Sequence, residues 1–235
     1  MLAYVIRHAE SVANTRADPG LNTALSPLGN RQAKALANRF AQPEIAAIYS
    51  SPFLRAIQTA LPIARQLHLP IRIRPELCEF QGLLPGTHLD LGLDDIATIT
   101  QRHPEAISCP DLSGPFAGPF SWPPPDETLS DMIARVRSFA NSLKARWLSP
   151  DDVIIAVGHG SPSARLIEAW LTDQPGPSFR FAIDNAAVAA LRYLNGVSSL
   201  VCLNEISHLR DLPPSERSNY RPDGSIKPAS QTGCW

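Results

Sequence analysis

The sequence predicts an α/β protein: a three-layer α/β/α sandwich with a mostly parallel central sheet. Two patterns predict it. Short aliphatic and β-branched runs alternate with longer segments of helical apolar periodicity, an order that builds a parallel sheet covered on both faces. Polar side chains also follow directly on the first of those runs, at the carboxyl end of a strand, where open α/β sheets bind their ligands. A length of 235 residues with 44% hydrophobic content suits one large domain or two small ones with a proper core. That content excludes disorder of the whole chain.

In chain order, Leu2–Ile6 is the first strand, ended by Arg7-His8-Ala9-Glu10. Ser26-Pro27 and Ser51-Pro52 each set an N-cap residue before a proline suited to the first helical position, so two helices are expected there. Their apolar stripes are Leu28, Ala33, Leu36, Ala37 and Phe40, then Phe53, Ile57, Leu61, Ala64 and Leu67, with Pro62 expected to kink the second. Ala46–Tyr49, Ile71–Ile73, Val153–Val157, Val188–Tyr193 and Leu200–Leu203 read as further strands. Glu127–Trp147 reads as an amphipathic helix, with Asp126 as its expected cap. Residues 81–125 are rich in proline and glycine, a loop-rich insert interrupted by one short helix near Asp95–His103. There is no internal repeat, and the segment after Leu212 is an irregular tail.

Charge and cysteine usage narrow the function classes. With 21 Lys+Arg against 22 Asp+Glu the chain has no basic surplus, which disfavours a nucleic-acid partner. Cys78, Cys109, Cys202 and Cys234 lie too far apart for a CxxC pair and are expected to be free thiols. No apolar stretch approaches the roughly 18–20 residues that span a bilayer, and the N-terminus lacks the features of a signal peptide. A cytoplasmic protein without membrane attachment is the expectation.

Three segments carry chemistry. Arg7-His8 places a guanidinium and an imidazole side by side at a strand end. Ser50-Ser51-Pro52-Phe53-Leu54-Arg55 puts a second arginine one turn into a helix whose N-terminus is itself an anion site. Val157-Gly158-His159-Gly160 puts a second histidine directly after another core strand. In this order and spacing the chain resembles the histidine phosphatase superfamily, the group containing cofactor-dependent phosphoglycerate mutases and fructose-2,6-bisphosphatase-like enzymes. The resemblance runs from Leu2 to about Leu209. Arg7-His8-Ala9-Glu10-Ser11 is similar to that family's Arg-His-Gly-Glu-Ser signature, and Leu25-Ser26-Pro27-Leu28-Gly29-Asn30-Arg31-Gln32-Ala33 to its Leu-Thr-x-x-Gly-x-x-Gln-Ala run.

The resemblance implies a phosphoglycerate mutase-like fold and a phosphomonoesterase working through a phosphohistidine, without metal or other cofactor, on a small phosphorylated metabolite. Residues 1–210 would form the catalytic domain, including the insert at 81–125, and residues 211–235 an irregular tail. His8 matches the nucleophile. Arg7, Arg55 and His159 match the cationic pocket, Asn14 a phosphate-contacting asparagine, and Glu79 the general acid that protonates the leaving oxygen. Two guanidiniums near His8 would keep its imidazole neutral and nucleophilic. Glu10 is the second candidate acid, with a turn-shaping role preferred.

Ala9 departs from the usual glycine, which matters only where that backbone needs positive φ. Residues 81–125 lack the basic patch of a mutase, Arg102 being their only lysine or arginine. A phosphoglycerate mutase-like transferase and a catalytically silent phospho-ligand binder are the rivals. His68, His88 and His103 show no metal-ligand spacing. His208 is assigned a structural role, Asn185 a turn at the site mouth, and Trp122 the pinning of the insert. Oligomeric state and substrate identity are left open.

Overall fold

The computed structural model describes residues 1–15, 21–42, 44–80, 92–108, 126–173 and 181–215. Its centre is a seven-stranded sheet of β1 (Leu2–Arg7), β2 (Ala47–Ser50), β3 (Ile71–Ile73), β4 (Ala106–Ser108), β5 (Val153–Gly158), β6 (Val188–Leu194) and β7 (Val197–Glu205). The strands lie in the order β4-β3-β2-β5-β1-β6-β7. Every pair from β4 to β1 is parallel, whereas β6 runs antiparallel to both β1 and β7. The expected mostly parallel sheet is therefore found, with β6 alone reversed.

Alternation along the strands assigns side chains to the two faces, because successive residues of a strand point to opposite sides. Ile6, Ile48, Ile155 and Val157 pack with Leu36 and Ala37 of α1 (Pro27–Arg39), with its C-cap Phe40, and with Ile57, Ala60 and Ile63 of α2 (Leu54–Leu67). Val5, Tyr49, Ile154 and Ala156 pack on the other face with Val136, Phe139 and Leu143 of α4 (Leu129–Arg146) and Leu166 and Trp170 of α5 (Gly160–Leu171). These two layers complete the sandwich. No helix of the described residues is long and apolar enough to cross a membrane.

Several local expectations need correction. α1 begins at Pro27 with Ser26 as its N-cap, as expected, its hydroxyl accepting from Gly29 N at 3.0 Å. α2 begins only at Leu54, after Phe53, and Ser51 does not cap it. Asn22 takes that role from a separate segment, its Oδ1 accepting the Leu54 N–H at 2.7 Å, and Ser51 is free for another partner. α2 continues through Pro62 as one helix. α4 is capped by Thr128 in a reciprocal capping box with Asp131, not by Asp126.

α5 was not expected, since its opening Gly160-Ser161-Pro162 carries no periodicity; Leu166, Ile167 and Trp170 supply its buried stripe. β6 and β7 form a hairpin across Asn195-Gly196, both at positive φ (51° and 79°), the backbone a two-residue turn demands. β7 is accordingly longer than the Leu200–Leu203 expected from its aliphatic residues. Within the 81–125 segment, α3 (Ile96–Arg102) fulfils the expected short helix, and β4 adds an unexpected edge strand. Residues 81–91 and 109–125, with His88, Cys109 and Trp122, lie outside the described residues, as do 216–235 of the tail. Cys78 and Cys202 are free thiols.

Candidate active site

The register of the central strands brings the three chemical segments together. β1 pairs with β5 so that Arg7 lies opposite Gly158, and β2 pairs with β5 on its other side so that Ser50 lies opposite Val157. The next residue of each strand end is then Ser51, His159 and His8, side by side at the carboxyl edge of the sheet. Backbone bonds extend the ladder one step: His8 N donates to Gly158 O at 2.9 Å and Ser51 N to Val157 O at 2.9 Å.

His8 is buried, and its proton position follows from its partners. Its Nδ1 lies 2.7 Å from Ala9 O, which can only accept, so Nδ1 carries the proton. Nε2 then holds a lone pair, which accepts from Arg55 Nε at 3.2 Å. Burial, with Arg55 and then Arg7 beside the ring, holds its pKa well below the ordinary 6.5. The direction is the one expected from the neighbouring guanidiniums, with desolvation the larger cause.

Arg55 projects from the first turn of α2, its guanidinium 4.5 Å from the centre of the Phe53 ring and its Nη1 donating to Leu21 O at 2.5 Å. Burial lowers its pKa to about 10, so it stays charged at neutral pH. Arg7 is oriented by donation from Nη1 to Ile183 O at 2.8 Å. Its guanidinium also lies close to Gly160, where an added Cβ would meet Cζ and Nε at 3.8 Å.

His159 is the N-cap residue of α5 and is fully buried. Its ring stands edge-on to His8, with centroids 5.1 Å apart, and against Phe53 at 4.9 Å. Burial first, then Arg55, His8 and Arg7, press its pKa well below 6.5. His159 was expected in a cationic pocket; its lowered pKa favours the neutral ring. It can offer a hydrogen bond, while the positive charge belongs to the arginines.

Glu79 follows a 3₁₀ turn, Pro75–Leu77, and its Oε2 lies 4.0 Å from His159 Nδ1. Its side chain keeps 23% exposure, so solvent reaches it from one side. Burial raises its pKa above the ordinary 4.5, against the lowering pull of Arg55 and of the Phe80 N–H that its Oε1 accepts at 2.9 Å. A carboxyl raised in this way can hold a proton beside His159 and Arg55. Its loop is tied down from α4: Arg135 donates to Glu76 O at 2.5 Å and Cys78 O at 2.9 Å while paired with buried Glu127.

The remaining expected residues frame the pocket. Asn14 is buried, and its Oδ1 accepts from Ser11 N and Oγ at 3.0 and 3.1 Å and from Asn185 Nδ2 at 3.3 Å. With its oxygen so engaged, the amide N–H₂ is the end able to meet an anion. Asn185 also donates to His8 O at 3.0 Å, fulfilling the turn expected of it. His208 Nε2 lies 3.0 Å from Ala186 O, a structural contact as assigned.

Glu10 turns away from acid chemistry. Its Oε1 accepts the Ser26 hydroxyl at 2.7 Å, and its backbone N donates to Gln32 at 2.9 Å. Ala9 is not among the residues at positive φ, so the departure from glycine costs nothing there; its N–H donates to Thr59 Oγ1 at 3.0 Å. Arg102 pairs with Asp94 at 2.5 Å. The structure thus gathers Arg7, His8, Arg55, Glu79 and His159, with Asn14 behind the His8 turn.

Four contributors escaped the sequence reading. Ser51, expected as a helix cap, instead bonds His159; Thr59 anchors Ala9; Arg135 and Glu127 hold the Glu79 loop. A signal for Arg135 existed, since it shares a helical face with Met132, Val136 and Phe139 and is buried with them.

Known proteins resemble this chain in sequence and in fold. A putative phosphoserine phosphatase 2 from Hydrogenobacter thermophilus is 29% identical over 212 residues, spanning 89% of this chain and 98% of its own length. Phosphoserine phosphatase 1 of the same organism is 26% identical, spanning 87% and 92%. The fold is shared with a mycobacterial glucosyl-3-phosphoglycerate phosphatase solved with VO3, at a TM-score of 0.61, 24% identity, and coverage of 87% of this chain and 99% of that one. The profile of the histidine phosphatase superfamily (branch 1) matches residues 3–206, nearly the whole sequence. The chain belongs to the histidine phosphatase superfamily and is a phosphatase of that group.

Proposed function

We propose that the chain is a phosphomonoesterase that hydrolyses a small phosphorylated metabolite through a phosphohistidine on His8, with Glu79 as general acid and then general base. The observation that carries this is the proton arrangement of His8. The Ala9 carbonyl fixes Nδ1–H, so Nε2 carries the lone pair and faces Arg55, with the His159 ring 5.1 Å from that of His8 and Glu79 4.0 Å from His159.

A phosphate dianion entering that space takes up the Arg55 Nε–H, which releases Nε2. Nε2 then forms a bond to phosphorus as the P–O bond to the leaving group breaks. The Arg7 and Arg55 guanidiniums, His159 and the Asn14 amide stabilise the charge on the equatorial oxygens. Glu79, whose neutral form burial favours, gives its proton to the leaving oxygen. The resulting carboxylate takes a proton from water as that water attacks phosphorus; the P–N bond breaks and phosphate leaves. Charge neutralisation by arginine makes a metal unnecessary in this scheme.

The names of the relatives support a phosphorylated small molecule such as phosphoserine, and the free thiols of Cys78 and Cys202 fit a cytoplasmic setting. The test is phosphate release from a panel of phosphoserine, sugar phosphates and phosphoglycerates in the presence of a chelator. Release to water, inhibited competitively by vanadate as a mimic of five-coordinate phosphorus, is expected. Transfer to a phosphorylated acceptor in place of release would favour a mutase. Activity lost to the chelator and restored by Mg²⁺ would reject the scheme.

A further inference from the structure

His159 depends on a residue outside the set that carries the chemistry. Its Nε2 lies 2.8 Å from Ser51 Oγ, and both residues are fully buried. The same Oγ receives the Phe53 backbone N–H at 3.3 Å. The other ring nitrogen, Nδ1, is buried and has no hydrogen-bond partner among the described residues; the Glu79 carboxyl lies 4.0 Å away.

A neutral imidazole has one donor and one acceptor nitrogen, so two arrangements are open. If Nε2 carried the proton it would donate to Ser51 Oγ, which already receives Phe53. The Ser51 hydroxyl proton would then need a third partner, and among the described residues it has none. Nδ1 would also turn a bare lone pair towards the space where the phosphoryl oxygens bring negative charge. With the proton on Nδ1, the Ser51 hydroxyl donates to Nε2 and accepts from Phe53, and every buried polar group on that side is used. The Nδ1–H then faces the reaction space as a donor.

We propose that Ser51 sets the tautomer of His159, donating to Nε2 so that the ring presents Nδ1–H to the transferred phosphoryl group. Ser51 touches neither substrate nor reacting atoms; it is a positioning residue. The burial of Ser51 matters here, because a hydroxyl that cannot turn to water has His159 as its acceptor. The kinetic part of the proposal rests on the function proposed above, whereas the tautomer is a property of the resting enzyme.

The test is ¹⁵N chemical shifts of histidine-labelled protein, with the His159 signals assigned by their loss in His159→Gln. In the unaltered protein Nδ1 is expected at the protonated, pyrrole-type shift and Nε2 at the pyridine-type shift. Ser51→Ala should move the pair towards averaged or exchanged values with the amide spectrum otherwise retained. The same variant should slow phosphoenzyme formation roughly tenfold to a hundredfold, at or below the low end of losing a preorganised oxyanion donor, with a smaller change in KM. A His159 protonated on Nε2 in the unaltered protein, which needs no variant to observe, would overturn the proposal. So would a Ser51→Ala protein with the shifts unmoved. The expected tautomer in a protein that forms no phosphoenzyme would uphold the role of Ser51 and reject the function.

Discussion

Glu79 and His8 have pKa values displaced in opposite directions, and the sign of each sets one limb of the pH profile. The proposed phosphoryl transfer needs His8 neutral, and its pKa lies well below 6.5, so activity should persist well into acid before its limb falls. It also needs Glu79 protonated, so the rate of phosphoenzyme formation should decline as pH rises through a value above the ordinary 4.5. Glu79→Gln should remove that upper limb, as read from burst rates across pH. The same variant should slow an alkyl phosphate by about 10²–10⁴-fold and p-nitrophenyl phosphate much less, because an activated phenolate leaves without a proton. Equal losses on the two esters would make Glu79 a positioning group. Most of these residues were legible in the sequence because each strand end carries its polar side chain in order. Ser51 was not legible as a partner of His159, because whether a Ser-Pro serine caps a helix depends on where the helix starts, and here Asn22 supplies the acceptor from elsewhere.

The elements that hold the site make two further demands. The first turn of α1 presses on the segment after His8: a Cβ on Gly29 would lie 1.9 Å from Glu10 O, a backbone atom that cannot swing aside. Gly29→Ala should therefore displace the Glu10 turn, costing about 1–3 kcal/mol in urea unfolding and weakening vanadate binding. Unchanged stability would mean that α1 can slide. The second demand is the clamp between α4 and the Glu79 loop. Arg135→Ala leaves Glu127 buried without its partner, and loss of one member of such a pair costs about 3–5 kcal/mol. Beyond the loss in Tm, the upper limb of the pH profile should shift as the Glu79 loop loosens, which a purely structural role would not cause. At this scale the sequence was readable where periodicity was strong, as in α1, α2 and α4. It failed at α5, whose start is small and polar, and at β7, where the Asn195-Gly196 turn was a better signal than the count of aliphatic residues.

At the scale of the whole molecule, burying two neutral histidines ties folding to pH. Above about pH 6.5 the rings of His8 and His159 are neutral in both folded and unfolded states. Below it the unfolded chain binds protons that the folded site excludes, so each ring lowers stability by about 1.4 kcal/mol per pH unit until its folded pKa is reached. Glu79, displaced upwards, acts with the opposite sign and gains stability as pH falls through its folded value. Urea midpoints should therefore drop steeply below pH 6.5, and His8→Asn should remove one ring's share of the slope; an unaltered slope would contradict neutral burial. Layer order and parallel pairing were legible from the alternation of elements. The reversed β6 was not, since strand direction depends on a connection through residues 172–187 whose length alone does not set it. The central claim is that His8 forms a covalent bond to phosphorus. Rapid quenching after brief incubation with ³²P-labelled substrate should trap an acid-labile, base-stable label on the unaltered enzyme and none on His8→Ala. Label that survives the substitution, or turnover of the unaltered enzyme with no trapped label under any quench time in the burst, would contradict it.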